Sequence, residues 1–358
     1  MQELKRIINY KRIILLLIAV TVNVVFFLYD NKPVMDEDII NKENVAHETY
    51  IKNYHEEVNA IIDNADKLKK YSIFNKAGSF SYANILQTAR DFERVKNVIL
   101  PEDEYKGVQA YTTYYYQYFF TMLVMMFVIY DMFAQRDNGM WSITYSCANG
   151  RIMYAIKQTG VIVVTGAFTH TLIYWSTFIA AMLQRGGVRD LVNPVQTIET
   201  FDKFTYPWSK IKYVTVLYLI SMVCIVALCI TIWGVFVMFR NRVYALVTML
   251  IFAAVEQFIY SHIDIHSVWN GLHYINIINI ININATFSSY RNWGVGTYVF
   301  PVFSVVLFVH IICAGVIGYI AINVSASMKP YKNTTFIKRF TDCVSVSYTH
   351  LRAHETVL

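Results

Sequence analysis

The sequence predicts an all-α polytopic membrane protein with six transmembrane helices and a large extracytoplasmic helical loop between the first two. Three observations carry this. Apolar residues make up 56% of the 358. Charged residues are only 16%, against about 25% in a soluble domain. Several windows reach or exceed the roughly 18 apolar residues that mark a membrane-spanning helix. Each backbone polar group in lipid must be paired within the protein, so helices are the default and closed barrels the exception. Barrel strands are about ten residues long with alternating polarity, whereas these runs are longer and uniformly apolar.

The first span is expected from about Ile13 to Tyr29 and the second from about Thr113 to Phe133. The third covers about Val161 to Leu183, the fourth Tyr213 to Phe239, the fifth Val243 to Ser261 and the sixth Tyr298 to Asn323. A cleaved signal peptide at the N-terminus fits poorly, because no small-residue cleavage pattern follows Tyr29. Basic residues set the orientation. Lys5, Arg6, Lys11 and Arg12 precede the first span, Arg240 and Arg242 occupy the short fourth-to-fifth connection, and Lys329, Lys332, Lys338 and Arg339 follow the sixth. With six spans all of these share one side, so both termini are expected in the cytoplasm and the chain in the cell membrane. The loop from Arg185 to Lys212 falls outside despite five basic residues, the weakest part of that topology. The formal charge of +6 then reads as inner-face Lys and Arg against anionic lipid headgroups, not as a nucleic-acid surface. None of Cys147, Cys224, Cys229, Cys313 and Cys343 lies in the long outer loop, so no disulfide framework is implied.

The segment 30–111, with 15 acidic and 11 basic residues, is the largest soluble piece. Val45, Tyr50, Ile51, Tyr54, Val58, Ile61 and Ile62 recur at helical spacing, and a second helix is expected from Tyr82 to Ile99, stopped by Pro101. NKAGSF between them reads as a turn. Such a hairpin stabilises the outer face or a dimer, or serves gating or partner recognition. Some eighty residues are little material for an independent core, so it is expected to lean on the other outer loops. The run INIINIININ, Ile275 to Asn284, mixes periods. With Trp269, Tyr274 and Trp293 nearby it reads as re-entrant or surface-lying, since aromatic rings favour the headgroup level. The last stretch, SYTHLRAHETVL from Ser347, resembles translated adapter sequence and is expected not to belong to the natural protein.

Several residue groups bear on chemistry. His262, Asp264 and His266 alternate, which on a strand places them on one face. His273 or Glu256 would complete a four-ligand zinc site, and the competing reading is ordinary polar residues at the membrane interface. Ionisable residues inside spans are functional candidates: Asp131 near the inner end of the second, Glu256 well inside the fifth, His170 and His310 in the third and sixth. Glu256 serves either a transport route or gate, or a hydrogen bond to a neighbouring helix such as the Tyr-rich second span. No phosphate-loop motif, no HExxH and no GxSxG elbow is present. If ATP drives this chain, another chain binds it.

Between the second and third spans lies RDNGMWSITYSCANGRIMYAIKQTG, residues 136–160. Gly139 relaxes the exit from the second span, a short amphipathic helix MWSITYSC follows, and Asn149 and Gly150 make a turn. Arg151 and Lys157 flank the start of the third span, and Arg151 is expected to bond helix C-terminal carbonyls or lipid phosphate. This arrangement resembles the permease subunits of the type-2 ABC exporter family, in the form common in Gram-positive bacteria, with Gly139, Gly150, Arg151 and Lys157 as the matching residues. Where the family has glutamate four residues before the glycine, this chain has Gln135, with Asp137 as the nearby carboxylate. The resemblance implies a permease paired with a second permease copy or relative and with cytoplasmic ATPase subunits, which would hold the ATP and magnesium. Segment 135–158 would then couple ATPase closure to the spans, for a peptide, lipid, glycan or drug-like substrate. The alternatives are a non-transporting membrane sensor or assembly factor with an extracytoplasmic helical domain, and a membrane metalloenzyme built on His262, Asp264 and His266.

Overall fold

The computed structural model describes residues 10–33, 36–71, 76, 78–101, 106–137, 150–239, 241–264, 267 and 269–327. Among these the chain forms twelve α-helices, three short 3-10 turns and one two-stranded hairpin. In chain order the helices are α1 (Tyr10–Asp30), α2 (Glu37–Leu68), α3 (Phe80–Glu93), α4 (Gly107–Thr113), α5 (Tyr116–Asp137), α6 (Gly150–Arg185), α7 (Lys210–Met238), α8 (Arg242–His262), α9 (Asn270–Ile275), α10 (Ile277–Ile281) and α11 (Ile283–Ser288). The hairpin β1 (Asn292–Val295) and β2 (Tyr298–Pro301) then leads into α12 (Val302–Ser327). Six of these, α1, α5, α6, α7, α8 and α12, are long and apolar enough to cross a bilayer, and the chain is a multi-pass membrane protein.

The expected span boundaries shift in three places. The third helix begins at Gly150 rather than near Val161; RIMYAIKQ lacks a breaker, and Tyr154, Ala155 and Gln158 bury one face against the bundle. Gly150 is therefore the first helical residue and no left-handed turn forms there, the positive-φ glycines being Gly78, Gly186, Gly187 and Gly296 among the described residues. The sixth helix begins at Val302, because Tyr298–Pro301 pairs with Asn292–Val295 in register Trp293 opposite Phe300. Pro301 cannot donate a ladder or helix hydrogen bond and suits the junction. The second span starts at Tyr116, because α4 ends at Thr113 and Tyr114 is extended.

α7 is the hub, packing against α12, α6, α5 and α8. Close approach is allowed by small residues. A methyl group added at Gly234 of α7 would overlap Ile317 of α12, one at Gly318 would stand 3.0 Å from Ile230, and one at Gly166 of α6 would stand 3.0 Å from the Cys229 sulfur. α1 is peripheral: only Asn23 and Phe27 are buried. It is held by Asn23, whose Nδ2 donates to Thr177 Oγ1 at 2.7 Å and whose Oδ1 accepts from the Tyr114 hydroxyl at 3.0 Å.

The bundle has two unlike ends. One, the basic face, gathers the start of α1, the end of α5, the start of α6, the α7–α8 connection and the end of α12. The other, the loop face, carries everything else. There α2 and α3 pack on each other through Tyr54, Val58, Phe92 and Val95. α3 ends at Glu93, six residues short of the expected Ile99, because the chain tightens at Asp91–Val95 and turns Val95 into that core. As expected for so small a core, the pair leans on neighbouring loops. The Tyr50 hydroxyl donates to the Gln196 carbonyl at 2.7 Å, and Asn292 Nδ2 donates to Asn84 Oδ1 at 2.9 Å. Tyr290 OH donates to Asp91 Oδ2 at 3.0 Å. Gln196 is itself buried and donates to the carbonyls of Phe204 and Tyr206, fixing the loop between α6 and α7.

Candidate functional site

On the basic face, arginine side chains from one helix end reach another. Arg12 of α1 pairs with Asp131 of α5, which puts both at the same end of the bundle as expected from their sequence positions. Arg242, opening α8, lies over the Tyr130 ring, 4.6 Å from its centroid. Arg136, in the last turn of α5, donates from Nη1 to the carbonyl of Phe236 at 3.2 Å, in the last turn of α7. Arg151, in the first turn of α6, donates from Nη1 to the carbonyl of Ala326 at 3.4 Å, in the last turn of α12. The final carbonyls of a helix have no partner within it, and they carry the negative end of the helix dipole. Guanidinium groups satisfy both needs.

Arg136 and Arg151 stand on either side of residues 138–149, which lie outside the described residues. Gly139 and the expected amphipathic helix MWSITYSC fall there; the tail 347–358, expected not to belong to the natural protein, also lies outside the described residues. The described residues flanking that segment are therefore bonded to α7 and α12. Of the matching residues, Gly150 opens α6, Arg151 bonds a helix-terminal carbonyl as expected, and Lys157 lies exposed two turns into α6. The segment expected over 135–158 is thus partly the ends of two helices, α5 reaching Asp137 and α6 starting at Gly150. Arg136 escaped the sequence reading. It stands just past an apolar run, where an ordinary inner-face arginine would also stand.

Glu256 is half-buried on α8, about 9 Å along the axis from the loop-face end. Its Oε2 accepts the amide of Ile277 at 3.0 Å, and its main-chain carbonyl accepts from Asn276 Nδ2 at 2.7 Å. The partner is the Ile/Asn segment, not the Tyr-rich helix α5. That segment is a chain of three short helices re-entering the bundle to the depth of Glu256. Its asparagines break and cap it: Asn276 Oδ1 accepts from Ile278 at 2.8 Å, and Asn279 Nδ2 donates to the carbonyls of His273 and Tyr274. Mixed periodicity in the sequence is the trace of helices only five or six residues long.

His262 is the last residue of α8 and stacks on Phe258, ring centroids 4.1 Å apart. Asp264 follows the helix end, and His266 lies outside the described residues. The strand that would put the three on one face is not formed at His262. His273 stacks on Tyr260 at 4.5 Å, and among the described residues no group of three His, Cys, Asp or Glu side chains is placed to hold a metal ion. His170 of α6 is fully buried, its Nε2 2.8 Å from Ser221 Oγ of α7, and His310 of α12 bonds the Val306 carbonyl at 2.8 Å.

On the loop face, burial raises the titration of three tyrosines. Tyr50 and Tyr54 lie well above the usual tyrosine range, and Tyr290 is pushed up to about 12, chiefly by burial. These hydroxyls remain neutral at physiological pH, and those of Tyr50 and Tyr290 donate hydrogen bonds. A cleft of about 340 Å³ on this face is lined by Phe80, Asn270, Tyr274, Asn292, Trp293, Gly294 and Val302. No family model matches the chain, and neither a curated protein nor a solved structure matches it.

Proposed function

We propose that this chain is the permease subunit of an ATP-driven exporter of the type-2 ABC kind, with residues 138–149 receiving the motion of a separate ATPase. One observation supports the reading most: the arginines bracketing that segment, Arg136 and Arg151, bond the terminal carbonyls of α7 and α12. A push on the segment is delivered to the hub helix and to its most extensive packing partner. In this reading the basic face is cytoplasmic, the α2–α3 hairpin is extracytoplasmic, and the membrane is a bacterial cell membrane. The chain carries no phosphate-loop motif, so ATP and magnesium sit on the partner. A second permease copy or relative completes the transporter. The substrate is a peptide, lipid, glycan or drug-like molecule, and Glu256, joining α8 to the re-entrant segment, belongs to its route or gate.

Photocrosslinking tests this directly. A photoreactive amino acid placed at Trp141 in cells should trap an ATP-binding protein on ultraviolet exposure. Crosslinks confined to lipid or to this chain itself would count against a docking role for the segment.

A further inference from the structure

The cleft on the loop face is built from three elements. Asn270 and Tyr274 come from α9, Asn292 and Trp293 from β1, and Phe80 from the first turn of α3. Packing fixes its walls. The Phe80 ring lies against Gly294, where an added methyl group would overlap it, and one added at Gly271 would stand 3.3 Å from the Trp293 ring. Tyr274 and Trp293 meet with ring centroids 6.2 Å apart. Asn292 Nδ2 donates to Asn84 Oδ1 of α3 at 2.9 Å and to the Tyr290 hydroxyl at 3.1 Å, which holds the hairpin on α3. Phe80, Asn270, Tyr274, Asn292 and Trp293 are each half-buried, anchored yet reachable from outside.

The lining combines aromatic rings with amides and holds no charged side chain. Arg291, the neighbouring cation, lies over the Tyr274 ring, 5.7 Å from its centroid. A phosphate or carboxylate ligand would call for a charge-assisted partner in the lining. An acyl chain would strip the amides of water without replacing their hydrogen bonds. Asn292 has committed its Nδ2, which leaves Oδ1 as an acceptor. The Asn270 side chain makes no hydrogen bond among the described residues, so both ends of its amide are available. A pyranose matches this set. Its ring C–H groups are slightly positive and settle on the negative faces of aromatic rings, while each hydroxyl both donates and accepts. We infer that this cleft binds a neutral sugar ring, packed on the aromatic walls and hydrogen-bonded to Asn270 and Asn292.

The volume of about 340 Å³ lies at the small end of the range for small-molecule sites. It suits one sugar unit, with any further units leaving through the open side. A free glycan and the headgroup of a glycolipid present the same ring, and the cleft recognises the chemistry they share. This site does not rest on the exporter reading, since binding to the chain alone reports on it.

Saturation-transfer difference NMR on the full chain in lipid nanodiscs tests the site, with maltotriose, cellotriose and chitotriose as probes and N-acetyl-trialanine amide as a peptide control. At least one saccharide should show saturable transfer, strongest at its ring C–H protons. Asn270→Ala removes no side-chain hydrogen bond within the described chain, so the melting temperature should hold while affinity falls about tenfold. Trp293→Ala should abolish binding, and Trp293→Phe should restore part of it. Repeating the titration with a glucosyl diacylglycerol in the nanodisc separates the two sources. Weaker binding of the free saccharide then places the lipid headgroup in the cleft, and unchanged binding assigns the cleft to soluble glycans. Failure of all three saccharides to bind, binding indifferent to the changes at Asn270 and Trp293, or binding of the peptide alone would each overturn the proposal.

Discussion

α7 and α8 are consecutive, joined by a short connection, and both read as apolar spans of ordinary length. The bundle treats them in opposite ways. α7 buries residues along its whole length, from Tyr213 near the loop face to Phe236 and Val237 near the basic face, and exposes one stripe through Ile211, Leu219 and Val223. α8 buries only Ala245 and Met249, while Val247, Leu250, Ile251, Phe252, Val255 and Phe258 are exposed. Hydropathy does not separate the two, because lipid and protein interior are equally apolar. What separates them is side-chain size and one polar anchor. α7 offers Ser221, Cys224, Ala227, Cys229 and Gly234 to its neighbours, so backbones approach closely. α8 presents bulky chains outward and is tethered through Glu256. α1 is a second peripheral span built the same way, tethered through Asn23.

The comparison breaks most readily at Gly234. Gly234→Val should drive α7 and α12 apart at Ile317 and cost about 3 kcal/mol of stability, read as thermal unfolding in detergent or nanodiscs. Ala253→Leu, which adds apolar bulk to the exposed face of α8, should change stability by no more than about 0.5 kcal/mol. Equal effects would erase the distinction between hub and edge.

The anchor of α8 comes next. Glu256→Leu leaves the Ile277 amide without its acceptor and should cost about 2 kcal/mol. Glu256→Gln keeps an acceptor oxygen and should recover most of that. Equal loss in both would mean that charge, not the hydrogen bond, holds the re-entrant segment. For α1, Asn23→Leu removes the bonds to Thr177 and Tyr114. It should cost about 1 kcal/mol, the scale of polar contacts between membrane helices. A larger loss would move α1 from the periphery toward the core.

The smallest effect concerns the loop face. Tyr290 titrates near 12 in the folded chain, against about 10 unfolded. The folded form therefore holds its proton more tightly, and this contribution is complete below about pH 10 and lost as pH rises toward 12. The α2–α3 pair should loosen over that window while the spans remain helical, followed by limited proteolysis between α2 and α3. Tyr290→Phe should blunt the pH dependence; an unchanged alkaline profile would assign it to other groups.

Most of the architecture was legible in the sequence, since each span is a long apolar run with polar flanks. Its packing was not. Apart from the carboxylate Glu256, what distinguishes α7 from α8 in the runs is the placement of small residues, and these gain meaning only once Ile317 and Ile230 are known to face them. The extension of α6 back to Gly150 was masked by the glycine itself, which reads equally well as a turn. Glu256 was identifiable as an intramembrane carboxylate, but its partner was hidden in a segment whose period is confused by asparagine caps. The paired roles of Arg136 and Arg151 depend on where α7 and α12 end, a property of the assembled bundle.

The central claim, that an ATPase works through residues 138–149, is met most directly by affinity purification from native membranes with mass spectrometry of what accompanies the chain. The account predicts a phosphate-loop ATPase in comparable amount, lost or much reduced when Arg136 and Arg151 are both changed to glutamine. A chain that purifies after gentle extraction with no ATP-binding protein would contradict it.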